Sequence, residues 1–187
     1  MSILRNNCAY LLLLAIWLLC RSATTMRTWT YTLMDITYES SDDSKLKLDL
    51  HIDRLGRGEY GLSGKVILGV DLTNETEIEI LVYRSADGSS EYKLQPLQID
   101  RQSIFQAINN YYKKMVMASV AECSDLPQFN DTLEHVGPAT FNITKCQLST
   151  EQFPAFMPEG YYKLHFNGYG PFEFSSVTLL RIEKALY

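Results

Sequence analysis

Histidine and cysteine are scarce in this sequence, with three of the first and four of the second among 187 residues. So few histidines leave little material for a His-rich metal site. Four cysteines are too few for a scaffold in which bridges replace a core. Basic residues are short as well, 17 against 22 acidic ones, which gives a formal net charge of −5 and a pI near 5.2. That balance argues against nucleic acid as the main partner, because phosphate binding needs a surplus of Lys and Arg. There is no internal repeat, low-complexity tract or linker. Apolar residues are plentiful: the chain is 46% hydrophobic and 21% charged. It is too apolar for a disordered tail and has the length of one domain.

Long apolar runs are also few, and the clearest lies at the start. Arg5 precedes the unbroken apolar stretch Ala9–Leu19, and Cys20-Arg21-Ser22 offers small residues for cleavage after Ser22. The run is about 11 residues long where a bilayer core needs about 20. Residues 1–22 are therefore expected to be a cleaved secretory signal, and residues 23–187 a single mature domain. Cleavage removes two of the 17 basic residues, Arg5 and Arg21, and none of the 22 acidic ones, so the net charge moves from −5 to −7. It also removes Cys8 and Cys20. In an oxidising compartment the remaining pair, Cys123 and Cys146, is expected to form a disulfide. The sequons Asn74-Glu75-Thr76, Asn130-Asp131-Thr132 and Asn142-Ile143-Thr144 make Asn74, Asn130 and Asn142 candidate glycosylation sites. The expected product is soluble and extracellular.

The mature chain reads mainly as strands. Residues 28–38 are rich in Thr, aromatic and β-branched residues, and their apolar side shifts near Leu33, which predicts a bulge. Lys45–Asp53 alternates without a break, with Leu46, Leu48, Leu50 and Ile52 facing inward. Tyr60, Leu62, Val66, Leu68, Val70 and Leu72 give a second even-numbered face. Glu77–Tyr83 continues the alternation, and Tyr92–Leu97 reads as a short edge strand because of Pro96. From Arg101 to Val120 the period becomes helical, with Asp100 at the expected N-cap. Cys123–Pro138 reads as a long loop. Strands resume over 140–146, 161–166 and 172–182. The expected fold is mostly β: a β-sandwich or β-cup with one long amphipathic helix.

Catalytic patterns do not assemble. Gly56-Arg57-Gly58-Glu59-Tyr60-Gly61 fits the dinucleotide fingerprint, but a strand follows it and no βαβ unit surrounds it, so a hairpin turn is expected. Ser63 in Gly61-Leu62-Ser63-Gly64 falls short of a nucleophile elbow. His51 and His165 belong to the polar sides of their strands. The carboxylate pairs Glu77/Glu79 and Asp42/Asp43 read as a solvated face and a turn. No catalytic residue, metal or cofactor is expected, and an extracellular hydrolase is the least supported class. Binding remains. A cup-like β fold can hold an apolar ligand; the expected lining is Phe105, Ile108 and Tyr112 from the helix, with Phe156 and Met157 at the mouth. The other reading is an extracellular interaction module with a filled core.

The run Arg101–Ile108, continuing to Tyr111-Tyr112, resembles the helix of the insect chemosensory proteins of the A and B groups. Phe153–Lys163 resembles their proline-rich loop and the strand after it. Those proteins are similar to lipid-recognition domains of the ganglioside-activator (ML-like) type. The resemblance implies a β-cup with a lipid cavity, secreted around sensory hairs for contact-pheromone detection, with a sensory membrane receptor as a second partner and no catalysis. The chain departs from those proteins at Ser103–Phe105, where they commonly carry a cysteine, and it has fewer bridges.

Overall fold

Alternating side chains put one face of each strand in the interior, and the computed structural model, which describes residues 28–89 and 91–185, sorts those strands into two antiparallel sheets. The expected signal segment lies outside the described residues. The strands are β1 (Trp29–Ser40), β2 (Leu46–Arg54), β3 (Tyr60–Leu68), β4 (Glu77–Ser85), β5 (Lys93–Leu94), β6 (Ile99–Ser103), β7 (Ala139–Cys146), β8 (Gly160–Tyr169) and β9 (Phe174–Lys184). The larger sheet runs β1-β9-β8-β4, and the two short strands β5 and β6 share the far edge of β4. The smaller sheet runs β2-β3-β7. The sheets approach each other most closely where β1 runs beside β2, and the Tyr38 hydroxyl donates to the Leu46 carbonyl across that edge.

Two irregularities set which residues face inward. In β1 the register slips between Leu33 and Asp35, so Leu33 and Ile36 both oppose inward positions of β9 and Met34 is left exposed. In β7 the slip lies opposite Ser63: Leu62 pairs with Cys146, but Gly64 pairs with Ile143. Ile143 and Cys146 are three apart and would face opposite sides of a regular strand; the slip buries both. Lys145 takes the left-handed conformation at the slip, φ 56°, and its N–H donates to the buried Ser63 Oγ at 2.8 Å. Gly64, φ 130°, is glycine because a Cβ there would collide with the Asp49 carbonyl of β2. The glycine-rich run after β2 is a hairpin turn, closed by Leu55 N–H donating to the Glu59 carbonyl at 2.9 Å, with Gly58 at φ 79°.

The single long amphipathic helix expected from Arg101 to Val120 is not found. Ile99–Ser103 is strand, pairing Glu77 with Ser103, Ile78 with Gln102 and Ile80 with Ile99. The free edge of β4 competes for these residues and wins. Ile99 joins the core, while Arg101 ion-pairs with Glu77 at 2.6 Å and lies over the Tyr169 ring at 4.1 Å. The helix, α1 (residues 104–120), is short, and its N-cap is Ser103 rather than Asp100. Ser103 Oγ accepts from Gln106 N–H, and its ψ of 146° is extended. The middle of α1, Ile108–Val116, is wound as a π-helix that ends with Met117 N–H donating to the Tyr112 carbonyl.

Chain order makes α1 the crossover from one sheet to the other. Its first turns, with Ile104 and Ala107, pack against Ile78, Leu46, Leu68, Phe172 and Phe174. Its last turns, with Val116 and Val120, pack against Ile143 and Cys146. The wider winding lets the adjacent residues Tyr111 and Tyr112 serve these two clusters separately. A third cluster, Trp29, Val82, Tyr162 and Ile182, fills the other end of the larger sheet.

The Cys123–Cys146 bridge fixes the crossover, spanning a Cα–Cα distance of 5.4 Å between positions 23 apart in sequence. In the chain-entropy model a loop of this size is worth about 3 kcal/mol. The double variant Cys123→Ser/Cys146→Ser should therefore lose about 3 kcal/mol, read as a lower urea midpoint with a somewhat steeper slope, because the unbridged unfolded chain exposes more surface.

Candidate functional site

The inner faces of the two sheets oppose one another along their length, but they are not equally covered. At one end Ile78, Leu46, Leu68 and Phe174 are buried, and at the other Trp29, Val82, Tyr162 and Ile182 are buried. Between them the facing positions are only half-buried. On the smaller sheet these are Leu48, Leu50, Ile52, Leu62 and Val66; on the larger, Leu33, Ile36, Ile80, Leu164 and Leu180. These residues are held in facing rows by the β2–β3 and β8–β9 registers. Most of them pack on the buried clusters: Leu48, Val66 and Ile80 on the first, Leu164 and Leu180 on the second, and Leu50 on Val120, Ile143 and Cys146.

A groove of about 290 Å³ runs between Thr30 and Tyr31 of β1, Glu59 and Tyr60 of the β2–β3 hairpin, and Gln147 and Thr150 just after β7. Tyr31 Oη donates to the Leu148 carbonyl at 3.0 Å and accepts from Leu148 N–H at 2.8 Å. Gln147 Nε2 donates to the Tyr60 carbonyl at 3.0 Å. Residues 147–148 thus strap the larger sheet to the smaller beside the groove. Burial of the Tyr31 ring raises its phenol pKa, partly offset by the Leu148 hydrogen bond. Moving inward on the same strands, the next residues of these faces are Leu33 and Leu62.

The five residues expected to line a ligand site do not come together. Phe105 is buried beneath α1, 7% exposed. Ile108 is half-buried where the winding of α1 changes. Tyr112 packs near Val116 and stacks on Phe129, its hydroxyl donating to the Pro127 carbonyl at 2.9 Å, and burial pushes its pKa up to about 12. Met157 belongs to the Trp29–Tyr162 cluster at the other end of the larger sheet, while Phe156 beside it is 71% exposed. The inward leucines of β2 and the apolar face of β3 are where the alternation placed them. The groove residues Thr30, Glu59, Gln147 and Thr150 carry no motif, and only the folding of three separate segments joins them.

The loop carrying Phe156 and Met157 is positioned by sheet side chains. Pro154 and Pro158 lack N–H groups, so its carbonyls need outside donors. Trp29 Nε1 donates to Pro154 O at 2.9 Å, Tyr162 Oη to Pro158 O at 2.6 Å and Arg84 Nη2 to Glu159 O at 2.6 Å.

The sequons are accessible: Asn74, Asn130 and Asn142 are exposed, and Asn142 Nδ2 donates to Asp125 Oδ2 at 2.7 Å. Ser63 and His51 are cross-strand partners in β2–β3, while His165 belongs to the other sheet. The Ser63 hydroxyl is taken by Lys145 N–H, His51 pairs with Asp53 at 3.6 Å on the surface, and His165 lies against the Tyr83 ring at 4.9 Å. Among the described residues, no three His, Cys, Asp or Glu side chains cluster as metal ligands, and no helix is long and apolar enough to cross a membrane.

Burial and the Lys163 charge lower the His165 pKa. The unfolded chain takes up that proton near pH 6.5 while the native state resists it, so stability falls as pH drops through this range. Thermal melts from pH 7.5 to 5 should show a falling Tm, and His165→Phe should flatten the decline. Met157→Ala should cost about 2 kcal/mol, the low end for a methionine in a core because it is half-buried. Phe156→Ala should change stability by less than about 0.5 kcal/mol. Urea titration of both variants separates the core residue from the exposed one.

Residues 78–164 match a family described as "Protein of unknown function (DUF1091)". The matched stretch runs from β4 into β8 and includes α1, the disulfide and β7. No curated protein matches the chain significantly.

Proposed function

We propose that this protein is a secreted, non-catalytic carrier or co-receptor for an apolar molecule, a lipid or a hydrocarbon. The observation that carries the reading is the pair of facing apolar sheet faces whose central residues, Leu33, Leu50, Leu62 and Leu164 among them, are half-buried while both ends are filled. Such a space favours an apolar occupant, because covering each exposed leucine is worth about 25 cal/mol per Å² removed from water. The polar groove beside it suits a cavity mouth. The two-sheet fold is compatible with a lipid-recognition domain of the ganglioside-activator type. Export is supported by the disulfide, the three sequons and the apolar N-terminal run. The resemblance to chemosensory proteins suggests pheromone detection as the setting, with a sensory membrane receptor as the second partner.

Native mass spectrometry of the glycoprotein secreted by eukaryotic cells should reveal co-purifying lipid, and the apolar fluorophore 1-N-phenylnaphthylamine should bind. Leu50→Trp and Leu62→Trp, which fill the central space from the smaller sheet, should weaken fluorophore binding at least tenfold with little loss of Tm. Absence of lipid together with absence of fluorophore binding would sink the carrier reading and favour an interaction module with a filled core.

A further inference from the structure

The mouth groove has a one-sided electrostatic character. Glu59 is the single charged side chain among the described residues that line it, and no Lys or Arg joins the lining. Arg57, at the tip of the same hairpin, is exposed and outside it. Thr30, Tyr60 and Thr150, which carry hydroxyl groups, are also among the lining residues. The Tyr31 hydroxyl is already occupied as donor and acceptor by Leu148, and the Gln147 amide donates to Tyr60 O.

An anion entering this groove would give up water for a site that offers a like charge and no cation. Both steps oppose binding. An alcohol or amine would instead donate to the Glu59 carboxylate, a charge-assisted hydrogen bond, and an alcohol would also accept from a threonine hydroxyl. The volume, about 290 Å³, is at the lower limit of ligand pockets, about 300–1,000 Å³. A headgroup and the first methylenes of a chain fit that volume.

We propose that the groove between β1, the β2–β3 hairpin and residues 147–150 receives the polar end of the ligand, and that this end is a hydrogen-bond donor without negative charge, an alcohol or amine rather than a carboxylate or phosphate. This rests on the carrier reading and narrows its ligand class.

The test is displacement of 1-N-phenylnaphthylamine from the full secreted chain by dodecan-1-ol, dodecylamine and dodecanoate at pH 7.5. The alcohol and the amine should displace it at concentrations at least tenfold below dodecanoate. Glu59→Lys, an exposed hairpin substitution, should erase or invert that order, and Thr150→Lys on the opposite wall should do the same, with unchanged melting confirming both folds. Equal or better displacement by dodecanoate from the unaltered protein overturns the inference but leaves the carrier reading intact. So does an order unchanged in both variants. If the fluorophore does not bind at all, the carrier reading fails and the inference falls with it.

Discussion

The bond between Cys123 and Cys146 joins the end of the crossover helix to the last residue of β7, and the separation of the two sheets depends on that junction. The chain leaves the larger sheet at Ser103, traverses α1 and enters the smaller sheet at Ala139. The covalent tie adds to the bonds by which Cys123 and Asp125 meet Thr144 and Asn142 of β7, and so fixes where residues 121–138 begin. The bridge works only because β7 slips by one residue opposite Ser63, which turns both Ile143 and Cys146 toward the helix. Ser63 is thereby placed in a structural role: its buried hydroxyl satisfies the backbone N–H of Lys145 that the slip removes from the ladder.

The same principle, side chains satisfying backbone that lacks a ladder, holds both irregular segments. Residues 121–138 are fastened by α1: Asn109 bonds both N–H and carbonyl of Leu133, Tyr112 bonds Pro127, and Lys113 donates to the Asn130 and Asp131 carbonyls. The proline-rich loop is fastened by Trp29, Tyr162 and Arg84. Loops tied in this way hold fixed positions beside the sheets, while inner leucines such as Leu50, Leu62 and Leu164 stay half-buried. The proposed ligand reading grows from those half-buried apolar faces rather than from any reactive group.

Regular strands were legible because their cause is local. Leu46, Leu48, Leu50 and Ile52 alternate with Lys, Asp and His, and only one pleated arrangement buries the first set and wets the second. The hairpin at Gly56–Gly61, the bulge near Leu33 and the edge position of Lys93-Leu94 were legible for the same reason. The helix was legible in kind but not in extent. Asp100–Ser103 has nothing against helix in its own sequence, and its strand conformation comes from the unpaired edge of β4 some two dozen residues earlier. The ligand-lining expectation scattered because it joined a helix face to a proline-rich loop that no local pattern places beside it: Met157 and Tyr112 serve different clusters.

The sequence by itself determined the β-rich class, the inward apolar faces and the acidic balance, since each follows from residue identity and short-range spacing. Tertiary structure alone decided that Ile143 and Cys146 share a face, that α1 begins at Ile104, and that Thr30, Glu59, Gln147 and Thr150 line one groove. These depend on which strand edges pair and which segments meet across two sheets. Distances in space between residues up to about 120 positions apart leave no periodic trace in the chain.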